Sequence, residues 1–180
     1  MGMTLLLGGV ASGKSRTATA LAVGTGRPVT LIATAEALDD EMVERIARHR
    51  AQRPATWTVV EEPLSLTASI ERVAAPDVLI VDCLTLWVSN LLGDDTMSDD
   101  EVLAHAAAAA KACASRDTQT IVVSNEVGAG IVPANALARR YRDLLGRVNA
   151  TFADEADTVA LMVAGRAVTL SDPMTTLEGR

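Results

Sequence analysis

A three-layer α/β fold with a mostly parallel central sheet follows from three features of the sequence. Short apolar runs alternate with helical stretches, most of those runs are continuous and β-branched, and the first of them enters a glycine-rich turn directly. Continuous apolar runs are what strands buried on both faces of a sheet require, and the helices between them supply the crossovers of parallel pairing.

The elements can be justified in order. Residues 4–7 form the first strand, and Gly8-Gly9-Val10-Ala11-Ser12-Gly13-Lys14-Ser15 follows at once, matching the phosphate-binding pattern G-x-x-x-x-G-K-[ST]. Its glycines let successive N–H groups converge on one anion, Lys14 can neutralise outer phosphates, and the Ser15 hydroxyl can ligate Mg²⁺. The chain is therefore expected to bind a nucleoside triphosphate in a P-loop NTPase fold. A helix carrying Ala18, Leu21 and Ala22 comes next and closes at Gly24-Thr25-Gly26-Arg27-Pro28. Residues 29–33 are the second strand, and a helical stretch from Asp39 to Arg50 leads to the third at 58–60. The fourth occupies 78–81. Ser98-Asp99-Asp100-Glu101 is a capping box opening an Ala-rich helix to about Arg116, before a fifth strand at 120–124. From Asn135 to about Ala156, the spacing of Leu137, Tyr141, Leu144, Val148 and Phe152 predicts a helix with a core-facing stripe, while Arg139, Arg140, Arg142 and Arg147 read as its solvated face. Strands at 159–163 and 167–170 complete the run. No repeat or linker divides it, so residues 1–170 are expected to form one catalytic domain, with 171–180 a mobile tail and 93–96 a flexible acidic loop.

Composition narrows the function classes. The 180 residues carry a formal charge of −7, which gives no electrostatic footprint for nucleic acid, and only two Trp, one Tyr and one Phe are available to stack on bases. Cys83 and Cys113 lie far apart without C-x-x-C spacing and read as reduced thiols, which favours the cytoplasm. No signal peptide or membrane span is visible.

Ligands of such sheets sit at the carboxyl ends of the strands. Asp82, closing the fourth strand, is either a Mg²⁺-side acid or the cap of a following helix. Thr34-Ala35-Glu36 and Glu61-Glu62 close the second and third strands, where carboxylates can accept hydrogen bonds from a ribose or base or can cap helices. The loop from Ser124 to Pro133, with Gly128 and Gly130, is either a substrate-approach segment or a plain turn. His49 follows Met42 by seven residues and Ile46 by three, on the inward face of its helix. It is either a satisfied core histidine or, ringed by Arg45, Arg48, Arg50 and Arg53, a nucleophile toward phosphorus. His105 reads as structural.

These motifs occur together with Ile32-Ala33-Thr34-Ala35, Leu38-Asp39-Asp40-Glu41-Met42, Arg45-Ile46, His49-Arg50, Arg53-Pro54, Trp57, Asn125-Glu126-Val127-Gly128, Gly130-Ile131-Val132-Pro133, Leu137-Ala138-Arg139, Arg142-Asp143 and Gly146-Arg147-Val148-Asn149. In that order they resemble the bifunctional adenosylcobinamide kinase and adenosylcobinamide-phosphate guanylyltransferase family of cobalamin biosynthesis, from Leu5 to about Leu170. The resemblance implies two reactions. One phosphorylates the aminopropanol hydroxyl of adenosylcobinamide with ATP or GTP; the other moves GMP from GTP onto a histidine, here His49, and then onto adenosylcobinamide phosphate. It further implies nucleotide contacts at the phosphate loop, at Thr34, Ala35 and Glu36, at Arg50, Ala51, Gln52 and Arg53, and at Glu61 and Asp82, with a homo-oligomer, a trimer, as the assembly. One departure stands out: family loops often carry an arginine where this chain has Ala11. Two rival readings remain beside it, an ordinary P-loop kinase with a structural His49 and a nucleotide-dependent binding module without turnover.

Overall fold

The computed structural model describes residues 2–37, 40–51, 53–93 and 96–174, apart from the side chains of Glu41 and Arg45. The elements in chain order are β1 (Met3–Gly8), α1 (Lys14–Gly24), β2 (Val29–Ala33), α2 (Asp40–Ala51), β3 (Thr58–Glu61), α3 (Leu66–Arg72), β4 (Val78–Asp82), α4 (Leu84–Leu92), α5 (Asp99–Ala114), β5 (Thr120–Val123), α6 (Ala136–Glu155), β6 (Thr158–Val163) and β7 (Arg166–Leu170). The strands form one sheet in the order β3-β2-β4-β5-β1-β6-β7, and only β7 runs antiparallel to its neighbour.

The period of two within each strand explains the continuous apolar runs. Leu5 and Leu7 of β1 join one core with Leu79, Val81 and Val122, while Leu6 joins a second core with Ile80, Ile121 and Val123 on the opposite face. The first core is covered by helices carrying Ile70, Trp87, Val102, Ala106, Leu145 and Phe152, and the second by Ala18 and Ala22 of α1. Each fully buried aliphatic side chain contributes roughly 1.5–3 kcal/mol, so a sheet apolar on both sides is bound to acquire helices on both. His49 of α2 lines a hollow with Ala18 and Thr19 of α1, the sheet face to which a right-handed β2–β3 crossover carries the helix.

The Ser98 capping box forms as expected: Ser98 Oγ accepts from the Glu101 N–H at 3.3 Å, and Glu101 Oε2 accepts from the Ser98 N–H at 2.7 Å. Asn135 caps α6 through Oδ1, which accepts from the Ala138 N–H at 3.1 Å. Two expectations for α6 need correction. Leu137 is exposed, because the first turn of the helix extends past the core. The arginines are not simply a solvated face: Arg139 donates to the Pro133 and Ala134 carbonyls, and Arg140 to the Met97 carbonyl and the Asp99 carboxylate. Of the expected tail, residues 171–174 are described and 175–180 lie outside the described residues, as do Asp94 and Asp95 of the acidic loop and the Leu38-Asp39 pair.

Candidate active site

The carboxyl ends of β1, β2, β4 and β5 open into one cleft of roughly 1430 Å³. Residues Val10, Ala11, Ser12, Gly13, Lys14 and Ser15 form one wall. Glycine is required on either side of this loop. Gly8 has φ 149° and a Cβ there would lie 2.4 Å from the Met162 carbonyl oxygen; Gly13 has φ 99° and a Cβ would lie 3.2 Å from the Cα of Gly165. No side chain caps the N-terminus of α1 at Gly13, so the positive end of the helix dipole is left directed at the loop. The Lys14 ammonium donates to the carbonyls of Gly8 at 2.8 Å and Gly9 at 2.7 Å, which fixes a positive charge inside the loop.

The turn between β6 and β7 braces this wall, the Gly165 N–H donating to the Ser12 carbonyl at 2.9 Å. The guanidinium of Arg16 packs over Gly13 and Gly165 and lines the same cleft. Arg16 thus brings a cation to a loop that has Ala11 where family loops often have arginine. Its signal in the sequence was its place directly after Ser15.

Across the cleft stands Asp82, in register with Ala33. Thr34 does not reach the cleft. It is fully buried, its Oγ1 donates to the Cys83 carbonyl at 2.7 Å and accepts from the Cys83 N–H at 2.9 Å, and its carbonyl accepts from Asn90 Nδ2 at 2.7 Å. Its hydrogen-bonding capacity goes into fixing the turn after Asp82, while Ala35 and Glu36 line the cleft beyond it. Burial, reinforced by the Asp82 charge, pushes the Cys83 thiol up to about 11.

Helix α2 forms the remaining wall. Met42, Ile46 and His49 are half-buried while Val43, Ala47, Arg48 and Arg50 are exposed, so the inward stripe read from the spacing is the one observed. His49 lines the cleft that Lys14, Ser15 and Asp82 line. Two ion pairs tie the end of this segment to strand ends: Arg50 with Glu61 of β3, and Arg53 with Asp82 at 3.6 Å. Burial draws the Arg53 guanidinium below its ordinary value, and Arg50 adds to this, against the opposing pull of Asp82. Ala51 is exposed and does not line the cleft, and Gln52 lies outside the described residues. Gly8 and Gly9 contribute backbone carbonyls to Lys14. His105 is exposed on α5, away from the cleft. The sequence reading gave no role to Asn125 individually, although it lies two residues past the end of β5 and lines the cleft.

A mostly parallel sheet with a Gly-Lys-Ser loop between its first strand and first helix defines a P-loop protein of the nucleoside-triphosphate-binding class. Solved structures agree on the fold: the RadB recombinase matches with a TM-score of 0.52 at 14% identity, over 89% of this chain and 73% of that one. An ATPase from the type III secretion system of pathogenic bacteria matches with a TM-score of 0.55 at 9% identity, over 98% of this chain and 53% of that one. The chain belongs to the cobinamide kinase / cobinamide phosphate guanyltransferase family, whose model matches residues 4–170. Among its relatives is the bifunctional adenosylcobalamin biosynthesis protein CobP of Pseudomonas aeruginosa, 47% identical over an alignment of 163 residues that covers 89% of this chain and 92% of that protein. The bifunctional adenosylcobalamin biosynthesis protein CobU of Salmonella typhimurium is 41% identical over 179 residues, covering 91% and 96% respectively.

Proposed function

We propose that this chain phosphorylates adenosylcobinamide with ATP or GTP and then, through a GMP adduct on His49, transfers GMP from GTP to adenosylcobinamide phosphate, giving adenosylcobinamide-GDP. The observation that carries the reading is that His49, Lys14, Ser15 and Asp82 line one cleft in a member of this family.

In the kinase step, the loop N–H groups and Lys14 hold the outer phosphates while the substrate hydroxyl displaces the nucleoside diphosphate from the γ-phosphorus. In the guanylyl step, an imidazole nitrogen of His49 bonds to the α-phosphorus as the bond to the bridging oxygen breaks and pyrophosphate leaves. A phosphate oxygen of the corrinoid substrate then forms the new pyrophosphate bond as the P–N bond breaks, which restores the histidine. The Ser15 hydroxyl and the Asp82 carboxylate are hard oxygen donors facing one cleft, and Asp82 already attracts a cation in Arg53, so the pair fits Mg²⁺. Bound there with phosphates and waters, Mg²⁺ would neutralise charge on the triphosphate. Arg50 and Arg53 hold carboxylates that sit where nucleotide and metal contacts are proposed, and would turn to phosphate when those are filled.

The test is GTP labelled at the α-phosphate. Wild-type protein should retain an acid-labile, base-stable GMP adduct and His49→Ala should not; equal labelling of the two would falsify the guanylyltransferase mechanism. The homotrimer that the resemblance implies is checked by sedimentation of the purified chain, and the cytoplasmic location that the cysteine usage favours by cell fractionation.

A further inference from the structure

β5 lies between β1, which ends in the phosphate loop, and β4, which ends in Asp82. Its register sets Val123 opposite Leu6 on one side and Asp82 on the other. Two residues further on Asn125 comes level with Gly8, and the next N–H, that of Glu126, donates to the Gly8 carbonyl at 3.1 Å. Asn125 therefore enters the cleft between the loop suited to outer phosphates and the carboxylate facing it.

The backbone of Asn125 is clamped on both sides. Its N–H donates to Thr85 Oγ1 at 2.7 Å, and its carbonyl accepts from Asn149 Nδ2 at 3.0 Å. Asn149 Oδ1 in turn accepts from Ser124 Oγ at 2.6 Å, and the Thr85 carbonyl accepts from the Tyr141 hydroxyl at 3.1 Å. Ser124, Thr85 and Asn149 are all buried. Buried polar groups are costly unless satisfied, and here they spend their hydrogen bonds on holding one backbone position. The side-chain amide of Asn125, by contrast, takes no protein hydrogen bond among the described residues and is half-buried at the cleft. A rigidly mounted amide with its donors and acceptor unspent suits a ligand rather than packing.

We infer that Asn125 is a catalytic residue of the phosphoryl-transfer step, aligning the γ-phosphoryl group with the incoming hydroxyl; this rests on the kinase half of the function proposed above. Nδ2 donates to a γ-phosphoryl oxygen and Oδ1 accepts from the attacking hydroxyl. The hydroxyl oxygen bonds to the γ-phosphorus as the bond to the β–γ bridging oxygen breaks, the nucleoside diphosphate leaves with that oxygen, and the hydroxyl proton ends in water. An amide takes no proton at neutral pH, so its contribution is alignment and charge stabilisation. Attack by His49 at the α-phosphorus makes less use of it, so the two reactions respond unequally.

The experiment uses the full chain with adenosylcobinamide and γ-labelled ATP or GTP for one reaction, and α-labelled GTP with His49 for the other. For Asn125→Ala, the kcat of γ-transfer should fall about 100-fold while the nucleotide KM moves less than about threefold. That loss should exceed the loss in His49 labelling by at least about 30-fold. A γ-transfer kcat within about threefold of wild type overturns the inference, as do equal losses in both reactions with weakened nucleotide binding, the mark of a framework role. If Asn125→Ala does not fold, Asn125→Ser carries the same readouts on the same backbone. Wild-type protein that transfers no γ-phosphate overturns the kinase reading and this inference together, whereas an active wild type matched by its variants overturns this inference alone.

Discussion

The Arg53 guanidinium lies 3.6 Å from the Asp82 carboxylate, and both side chains are largely shielded, at 14% and 16% exposure. The acid that closes β4 is thus held by a cation from the segment just beyond His49. Any divalent cation that takes Asp82 competes with Arg53 for it.

Arg53→Met should therefore raise the affinity of the nucleotide-free protein for Mn²⁺ several-fold, read by electron paramagnetic resonance, because a shielded carboxylate loses its partner. Asp82→Asn should lower divalent-cation-dependent transfer about 100-fold in both reactions. Unchanged Mn²⁺ affinity in the arginine variant would remove the competition.

Asn149→Ala should cost about 2–3 kcal/mol in urea denaturation, since it leaves the Ser124 hydroxyl and the Asn125 carbonyl without their buried partner. A change below about 0.5 kcal/mol, the size of an ordinary surface substitution, would show that the network does not clamp this strand end.

Ala11 stands at φ 56°, the left-handed region, where a Cβ costs about 1–2 kcal/mol. Glycine would relieve that cost and lose about 0.4–1 kcal/mol to the greater freedom of the unfolded chain. Ala11→Gly should accordingly be more stable by up to about 1.5 kcal/mol and Ala11→Val less stable than wild type. Thermal denaturation in the other order would mean that the loop adopts a different backbone in solution.

Burial raises three acids of the folded chain: Cys83 to about 11, Cys113 to about 12 and Tyr141 to about 12, against ordinary values of 9.0, 9.0 and 10.0. Each is more readily protonated folded than unfolded. Its contribution is whole below the ordinary value and is lost as pH rises through the folded one, at about 1.4 kcal/mol per pH unit while the two states differ. Stability should thus fall between roughly pH 9 and 12, and Cys113→Ala should flatten that arm in urea titrations at stepped pH.

Much of the fold was legible because the strands are continuous apolar runs: β2 occupies the residues read from the sequence, and β1 and β4 extend their readings by only a residue at one or both ends. Helices α3 and α4 were not read. Leu84–Leu92 does carry a helical period, with Leu84, Trp87, Val88, Leu91 and Leu92 buried on one face, but the reading passed over it in a stretch of only nine residues, and Leu66–Arg72 is shorter still. In the site, the phosphate loop, Asp82 and the inward face of His49 are local patterns and were visible. The Thr34 link to Cys83 and the Asn149 clamp on Asn125 were not, because they join residues 49 and 24 positions apart. The sheet order brings the first pair together and the packing of α6 the second.

The turn at Ala164-Gly165 leans on the phosphate loop, and β1 pairs with β6 along its length. During synthesis, then, the loop near the start of the chain emerges without its neighbours on that side and stays unbraced until the ribosome has made nearly all the rest. A protein stalled before residue 165 has the Gly-Lys-Ser sequence without the N–H that ties down the Ser12 carbonyl.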